Sequence, residues 1–340
     1  MKTTKIAVVG YGRWGRVCHI PLILQVPELE LVGVASGDAA KREQIRTELG
    51  VRAFQNLDEV LADESVEAVV LATPNDTHES FAVRALDAGR HVVTDKPMCL
   101  SLSQCDAMMA AAKRNGKVLE VFQNRRRDGD FLTLQNLISS GEMGELRWAE
   151  MAWQGFSPSG GWRGQTGHGG GQLFDLGAHL IDQLLLLFPF RLTSVFCRMH
   201  HDFPQSEVES EALVVLGFEN GATGIADVSS LASISKPRFY ARGTLGTFQK
   251  FGLDPQEDAL TAGDINLAVE NPQTFGRLVT SHGERTVETQ PGRWRDFYEN
   301  FARVLAGEAK PLVPIEDSRR LIQVLDAARA SARLGQVVRL

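Results

Sequence analysis

The segment Lys5-Ile-Ala-Val-Val-Gly-Tyr-Gly-Arg-Trp-Gly15 decides the fold of the residues around it. Ile6 to Val9 is an unbroken apolar run rich in β-branched residues, the pattern of a strand buried on both faces. It runs directly into Gly10, and Gly10, Gly12 and Gly15 stand at the G-x-G-x-x-G spacing. The first glycine permits a tight turn, the second lets a pyrophosphate approach the backbone, and the third lets the next helix pack on the strand. A helix predicted from about Trp14 to Leu24 aims its free N–H groups and positive dipole end at that phosphate. Three glycines alone are a weak signal. With a second strand, Glu30 to Ala35, closing a βαβ unit, they predict dinucleotide binding at this turn, with Tyr11, Arg13 and Trp14 among the contacts.

Strands and helices go on alternating. Helices are predicted over Asp38 to Leu49, Asn56 to Ala62, Thr77 to Ala88 and from the Ser101 cap to Asn115; strands over Val66 to Ala72, His91 to Thr94 and Val118 to Phe122. Short connections in this rhythm imply a parallel sheet with helices on both faces. Ligands on such sheets bind at the carboxyl ends of the strands. Those ends carry Gly10, Ser36, Thr73-Pro74-Asn75, Asp95-Lys96-Pro97 and Gln123-Asn124.

The end of the second strand bears on the cofactor. An NAD site places a carboxylate there to accept hydrogen bonds from the adenosine ribose. Here Ser36 holds the position, and Asp38 caps the next helix. Lys41 and Arg42 sit in that helix's first turn, poorly placed for its dipole. Together with Ser36 they suit a 2′-phosphate, so NADP is expected and NAD remains possible; as a bland alternative, both cations form a solvated helix face.

At the fifth strand's end, proline restricts Lys96 to extended geometry and presents it at the ligand edge. An ammonium there can hydrogen-bond a substrate oxygen, and partial burial can tune it for proton transfer. The plainer alternative is an Asp95–Lys96 ion pair.

Beyond about Phe131 the period changes. After a helix over Phe131 to Ser140, strand-like runs dominate: Arg147 to Trp153, Val195 to His200, Glu211 to Phe218, Ala222 to Val228, Arg238 to Arg242 and Gly246 to Phe251. Glu219-Asn220-Gly221 carries a hairpin signal. A mainly antiparallel sheet with one open face is implied, and a second copy of the chain is its simplest cover. Two amphipathic helices, Arg293 to Leu305 and Glu316 to Leu334, are expected to be structural. The domain expectation is a dinucleotide-binding span, 1–123, and a substrate-binding and oligomerisation span, 124–340.

One segment breaks the sheet pattern: Gly167-His-Gly-Gly-Gly-Gln-Leu-Phe-Asp175-Leu-Gly-Ala-His179-Leu-Ile-Asp182. Leu173, Leu176, Leu180 and Leu184 form a helical stripe, which puts Asp175 and His179 on one face. A carboxylate on one imidazole nitrogen fixes the tautomer and leaves the other nitrogen to take a proton. Removing hydride from a carbinol carbon requires such a group, because the hydroxyl proton leaves too. A lone helical histidine is otherwise structural.

The glycine turn, Asp95-Lys96-Pro97 and Gly169-Gly-Gly-x-x-x-Asp175-x-Gly-x-His179-x-x-Asp182 together resemble the glucose-fructose oxidoreductase/inositol dehydrogenase (Gfo/Idh/MocA) family. Within it, Gln123-Asn-Arg-Arg-Arg-Asp128, Asp130-Phe131-Leu132 and Gly246 to Leu260 resemble the NADP-dependent scyllo-inositol dehydrogenase branch. The resemblance implies an α/β chain: a Rossmann domain, then an α/β domain whose open sheet makes homodimers or homotetramers. It implies a dehydrogenase or reductase acting on a polyol, inositol or sugar, with Lys96, Asp175 and His179 catalytic and Asn124 and Arg125 at the substrate. Asp95 stands where the family usually has Glu, and Arg127 where relatives often have Trp. Arg125 to Arg127 either hold substrate or pair with Asp128 and Asp130. Trp162-Arg163 close over the nicotinamide or simply pack, and His78 is a further candidate cofactor contact. A non-catalytic NADP(H)-binding regulator and a redox-cycling glycosidase are the alternative functions.

Composition sets exclusions. The chain has 340 residues, 43% hydrophobic and 23% charged, with a net charge of −6 and no long basic run, so neither nucleic acid nor an anionic membrane is an expected partner. Its four cysteines form no C-x-x-C pair, His200-His201 lacks metal-ligand spacing, and the chain enters a strand after four polar residues. No disulfide, metal site or signal peptide is expected, and a cytoplasmic location is.

Overall fold

Ile6, Ala7 and Val8 have no solvent exposure in a computed structural model that describes residues 3–157 and 160–340. They form the centre of β1 (Thr4–Val9), which pairs in parallel with β2 (Leu29–Ala35) on one side and β4 (Ala68–Leu71) on the other. With β3 (Arg52–Phe54), β5 (His91–Thr94) and β6 (Leu119–Val121) they make a six-stranded parallel sheet of order β3-β2-β1-β4-β5-β6. The order reverses between β1 and β4, and ligands of open parallel sheets enter beside such a switch point. Strand β3 falls where the sequence signalled none.

The helices are stopped as their sequences require. Asp38 accepts hydrogen bonds from the amides of Ala40 and Lys41, Asn56 from Glu59 and Ser101 from Gln104, each satisfying donors that a helix start leaves open. Gly116 ends Leu102–Asn115 in the left-handed conformation at φ 60°.

A second sheet has nine strands in the order β14-β13-β12-β11-β7-β10-β9-β8-β15. These are β7 (Leu146–Gln154), β8 (Leu192–His200), β9 (Glu211–Phe218), β10 (Thr223–Ser229), β11 (Phe239–Gly243), β12 (Gly246–Lys250), β13 (Gly276–Thr280), β14 (Gly283–Val287) and β15 (Val338–Arg339). All its pairings are antiparallel except β7 with β10. The turn at Glu219-Asn220-Gly221 joins β9 to β10, and its Gly221 has φ +79°. Ala212, Val214, Leu216 and Phe218 of β9 are buried while Leu213 is exposed, so one face is packed and the other open. Helix Ala178–Leu187 lies on the packed face, with Leu184 against Gly224.

The chain divides into two compact units: 1–124 with 257–265 and 293–319, and 125–256 with 266–292 and 320–340. The break at Asn124 stands one residue from the expected boundary. The expected second span, however, surrenders two segments to the first unit, because Leu260, Trp294, Phe297, Tyr298, Phe301 and Val313 pack in that unit's core. Among the described residues no helix is long and apolar enough to cross a membrane, and the four cysteines are buried and unbridged.

Candidate functional site

In the first unit the three glycines of the β1 turn are required for different reasons. Gly10 has φ +111°, and a Cβ there would collide with the Ala72 carbonyl after β4. A Cβ on Gly15 would collide with the Gly10 carbonyl, so the third glycine lets helical residues Gly15–His19 press against the turn. A Cβ on Gly12 would meet no protein atom within 4 Å. The fold therefore places no demand on Gly12, whereas an approaching phosphate does. Around the turn, Tyr11 is buried and donates its hydroxyl to Glu48 at 3.2 Å, and Arg13 pairs with Glu257 at 3.0 Å. Trp14 packs near Trp294, ring centroids 6.4 Å apart.

After β2, Ser36 is half-buried and carries a hydroxyl where an NAD site has a carboxylate. Arg42 folds back so that Nη1 donates to the Ser36 carbonyl at 2.8 Å, while Lys41 is exposed. The carboxylate of Asp38 is committed to capping the helix. A hydroxyl and a guanidinium thus lie at this strand end, with the Asp38 carboxylate two residues on.

After β4, the Thr73 hydroxyl bonds that of Thr77 at 2.6 Å, Pro74 offers its carbonyl to Thr77, and Asn75 is buried. Both ring nitrogens of His78 face main-chain carbonyls. It has no exposure, and its Nε2 and Nδ1 face the carbonyls of Thr73 at 3.0 Å and Pro97 at 2.9 Å, so it clamps two ligand-edge loops together. Burial pushes its pKa down, against the pull of Asp95.

Beyond β5, Lys96 is only 7% exposed and precedes Pro97 through a cis peptide. Its main-chain N–H donates to Asp95 Oδ1 at 2.7 Å. Burial alone would raise the Asp95 pKa, but His19, Lys96 and His78 outweigh it and hold the carboxyl below its usual range. Asn124, at the end of this unit, is also buried.

In the second unit, His179 is buried on helix Ala178–Leu187 and stacks on Trp153 of β7, centroids 6.0 Å apart and planes 24° apart. The guanidiniums of Arg125 and Arg238 lie 4.6 Å and 5.1 Å from the Trp153 ring centroid. Asp175, in the preceding helical residues Leu173–Gly177, pairs with Arg163 Nε at 3.2 Å, and Arg163 stacks on Trp162 at 4.4 Å. The glycine run is packed rather than open. A Cβ on Gly170 would strike the Arg163 carbonyl, and one on Gly171 the Glu209 carboxylate, whose Oε1 accepts the Leu173 N–H at 2.7 Å.

Of the roles open to the arginine run, ion pairing is realised. Arg125 is buried 3.5 Å from Asp128. Arg126 grips Asp182 through two hydrogen bonds of 2.7 Å. Gln183 donates to the Arg125 carbonyl and accepts from Arg238, so the His179 helix is tied down along this side. Burial raises Asp128 and Asp130 despite the neighbouring arginines, Asp130 to about 6.

No local signal marked Trp153, His19 or Tyr298, whose partners are remote in sequence. No group of three or more His, Cys, Asp or Glu that could hold a metal occurs among the described residues.

Residues 4–123 match the family described as "Oxidoreductase family, NAD-binding Rossmann fold" and residues 131–249 the "GFO/IDH/MocA C-terminal domain". The chain is 33% identical over 340 residues to the uncharacterized oxidoreductase YdgJ of Escherichia coli K12, covering 97% of this chain and 96% of the relative. It is 29% identical to scyllo-inositol 2-dehydrogenase (NADP(+)) IolW of Bacillus subtilis, covering 99% and 96%. To scyllo-inositol 2-dehydrogenase (NAD(+)) of the same organism it is 28% identical, covering 66% and 67%. The solved structure of oxidoreductase yvaA from Bacillus subtilis superposes with a TM-score of 0.93 at 28% identity, covering 100% of this chain and 99% of that one.

Proposed function

Because the chain belongs to the Gfo/Idh/MocA family of NAD(P)-binding oxidoreductases, we propose that it catalyses reversible hydride transfer to or from a secondary carbinol or ketone of a polyol, inositol or sugar. The observation that carries this reading is Lys96: a nearly buried lysine at the carboxyl edge of a dinucleotide-binding sheet, beside a carboxylate pinned to its own backbone. The likeness to two scyllo-inositol 2-dehydrogenases supports a cyclic polyol as the substrate class.

The glycine turn and the helix behind it hold the cofactor's pyrophosphate, and Ser36, Lys41 and Arg42 hold the 2′-phosphate of NADP, which is preferred over NAD. When bound, the nicotinamide supplies the hydride donor or acceptor. The Lys96 ammonium donates a hydrogen bond to the reacting oxygen and stabilises charge that grows on it. His179 takes the hydroxyl proton in oxidation and returns it in reduction, and Asp175, four residues earlier, favours the protonated imidazole. Trp162 and Arg163 shield the reacting groups from water. A homodimer or homotetramer forms through the open face of the second sheet, where Arg242 stacks on Trp148 at 4.5 Å; light scattering of the purified protein measures it.

The test is a panel of polyols and sugars assayed with NAD and NADP by nicotinamide absorbance, on the parent enzyme and on K96A and H179A. Turnover is expected to fall by about a hundredfold or more in each variant, with NADPH affinity retained. Near-parental turnover in both variants removes the assignment.

A further inference from the structure

Two thiols and two thioethers gather where the loop leaving β5 meets the next helix. Met98 and Cys99 follow Pro97 in that loop, and Cys105 and Met109 stand on helix Leu102–Asn115 at the i,i+4 spacing that puts both on one face. Cys105 Sγ lies 3.6 Å from Met98 Sδ and 3.9 Å from Met109 Sδ. It also hydrogen-bonds the Cys99 thiol, whose Sγ is 3.3 Å from the Ser101 carbonyl oxygen. Cys99 and Cys105 have no exposure and Met98 has 1%, while Met109 is half-buried. Cysteine spacing carries no metal motif here, because half of these sulfurs belong to methionines.

Packing asks only for apolar bulk, which leucine supplies equally. A thioether adds a soft lone pair, and a thiolate flanked by thioethers is a donor set that selects Cu(I) among biological metal ions. Sulfur ligands about 2.3 Å from a metal stand about 3.8 Å apart in a tetrahedral site and about 4.0 Å apart in a trigonal one. The two measured separations therefore need little change to receive an ion. Burial limits the valence: one thiolate and one monovalent cation sum to zero, whereas a divalent ion leaves a charge inside. Cys105 is the group suited to ionise. Its hydrogen bond with Cys99 lowers its pKa and outweighs burial, while Asp106 and Arg319 act on it in opposite senses and pair with each other at 2.7 Å. Burial and Glu209 push Cys197, by contrast, up to about 12.

We propose that Met98, Cys99, Cys105 and Met109 form a site for a soft monovalent cation, Cu(I) or its stand-in Ag(I). The Cys105 thiolate anchors the ion, the two thioethers complete its ligands, and Cys99 turns its S–H from the Ser101 carbonyl to the thiolate. On binding, the Cys105 S–H bond breaks, a sulfur–metal bond forms and one proton passes to solvent, with no change of oxidation state. The ion enters past Met109, the partly exposed member of the four. Neither nicotinamide nor a polyol takes part, so the site stands or falls separately from the proposed reaction.

The experiment titrates the reduced full-length chain, without oxygen, with Cu(I) delivered as its acetonitrile complex in competition with the chromophoric chelator bicinchoninate; Ag(I) is followed by calorimetry. One ion per chain is expected. C105S weakens binding by more than about a hundredfold, since even the outer partners of a metal ligand are worth about ten- to a hundredfold. M98L and M109L conserve volume and keep the fold, yet each weakens binding about tenfold. C99A costs about tenfold, and C99S, which keeps a hydroxyl donor, recovers most of it. C197S stays within about twofold of parent. Below the Cys105 pKa, affinity rises about tenfold per pH unit, the mark of one proton released per ion. Parental affinity in an M98L/M109L double variant, binding that follows Cys18 or Cys197 instead of Cys105, or no ion held against the chelator overturns the inference and leaves the four sulfurs as core packing.

Discussion

Gly10, Gly12 and Gly15 share one motif, yet only two of them are held in place by the fold. The first and third are enclosed by the Ala72 and Gly10 carbonyls, and Gly10 also has a backbone that a side chain strains. Alanine at either position is expected to cost about 1–3 kcal/mol through overpacking and strain. Gly12 faces open space, so G12A should unfold within about 0.5 kcal/mol of parent while its NADPH Kd rises about tenfold or more. Denaturant melts paired with NADPH titrations separate the two classes; a G12A protein with parental affinity would exclude close pyrophosphate approach. The same scale decides cofactor choice. In S36D a carboxylate replaces the hydroxyl beside Arg42, repels a 2′-phosphate and accepts from ribose hydroxyls. The ratio of kcat/KM for NADP over NAD should then fall by about a hundredfold or more; an unchanged ratio would place the 2′-phosphate elsewhere.

Among elements, β5 carries a pH dependence of its own. His91 opens the strand, and its Nδ1 accepts the main-chain N–H of Val118, just before β6, at 3.0 Å. Burial, with the Lys117 charge, lowers its pKa from 6.5 to about 4. Because this folded-state pKa lies below the unfolded one, the unfolded chain binds the extra proton first as pH falls. The contribution is whole above about pH 6.5 and is lost progressively toward pH 4. The urea midpoint of the parent should therefore fall between pH 7 and pH 5 more steeply than that of H91N, whose side-chain oxygen keeps an acceptor without titrating; parallel slopes would refute the account. Elements of this kind, with local signals, were legible in the sequence. His91–Thr94 has the bounds its apolar run implied, and Ser101 and Gly116 bracket their helix as a cap and a left-handed stop should. Strands β3, β13, β14 and β15 were not legible: they are short, mostly exposed, and owe their pairing to neighbours rather than to composition. The candidate site divides the same way. Its ligand-edge positions follow from strand ends, whereas the burial of Arg125, the clamp made by His78 and the stack of His179 on Trp153 depend on contacts across long separations that no local pattern encodes.

For the whole molecule, the consequence of chain order is that the dinucleotide-binding unit is not a contiguous stretch. Its six strands end at Val121, but its core includes Trp294, Phe297, Tyr298, Phe301 and Val313, and the Val313 N–H donates to buried Glu120 at 3.1 Å. Burying one such apolar side chain contributes about 1.5–3 kcal/mol, so five together rival the entire net stability of about 5–15 kcal/mol for a domain. Removing them also strips His19 and Glu120 of hydrogen-bond partners inside the core, at about 1–3 kcal/mol each. A fragment of residues 1–124 therefore contains every strand of its sheet and the full glycine turn, yet should unfold without a cooperative transition and bind NADPH weakly. Joining that fragment to residues 293–319 through a flexible linker restores the missing aromatic layer and should recover both a sigmoidal urea transition and most of the affinity. Cooperative unfolding of the 1–124 fragment alone, with the affinity of the intact chain, would show that the returning helix merely decorates a core already complete without it.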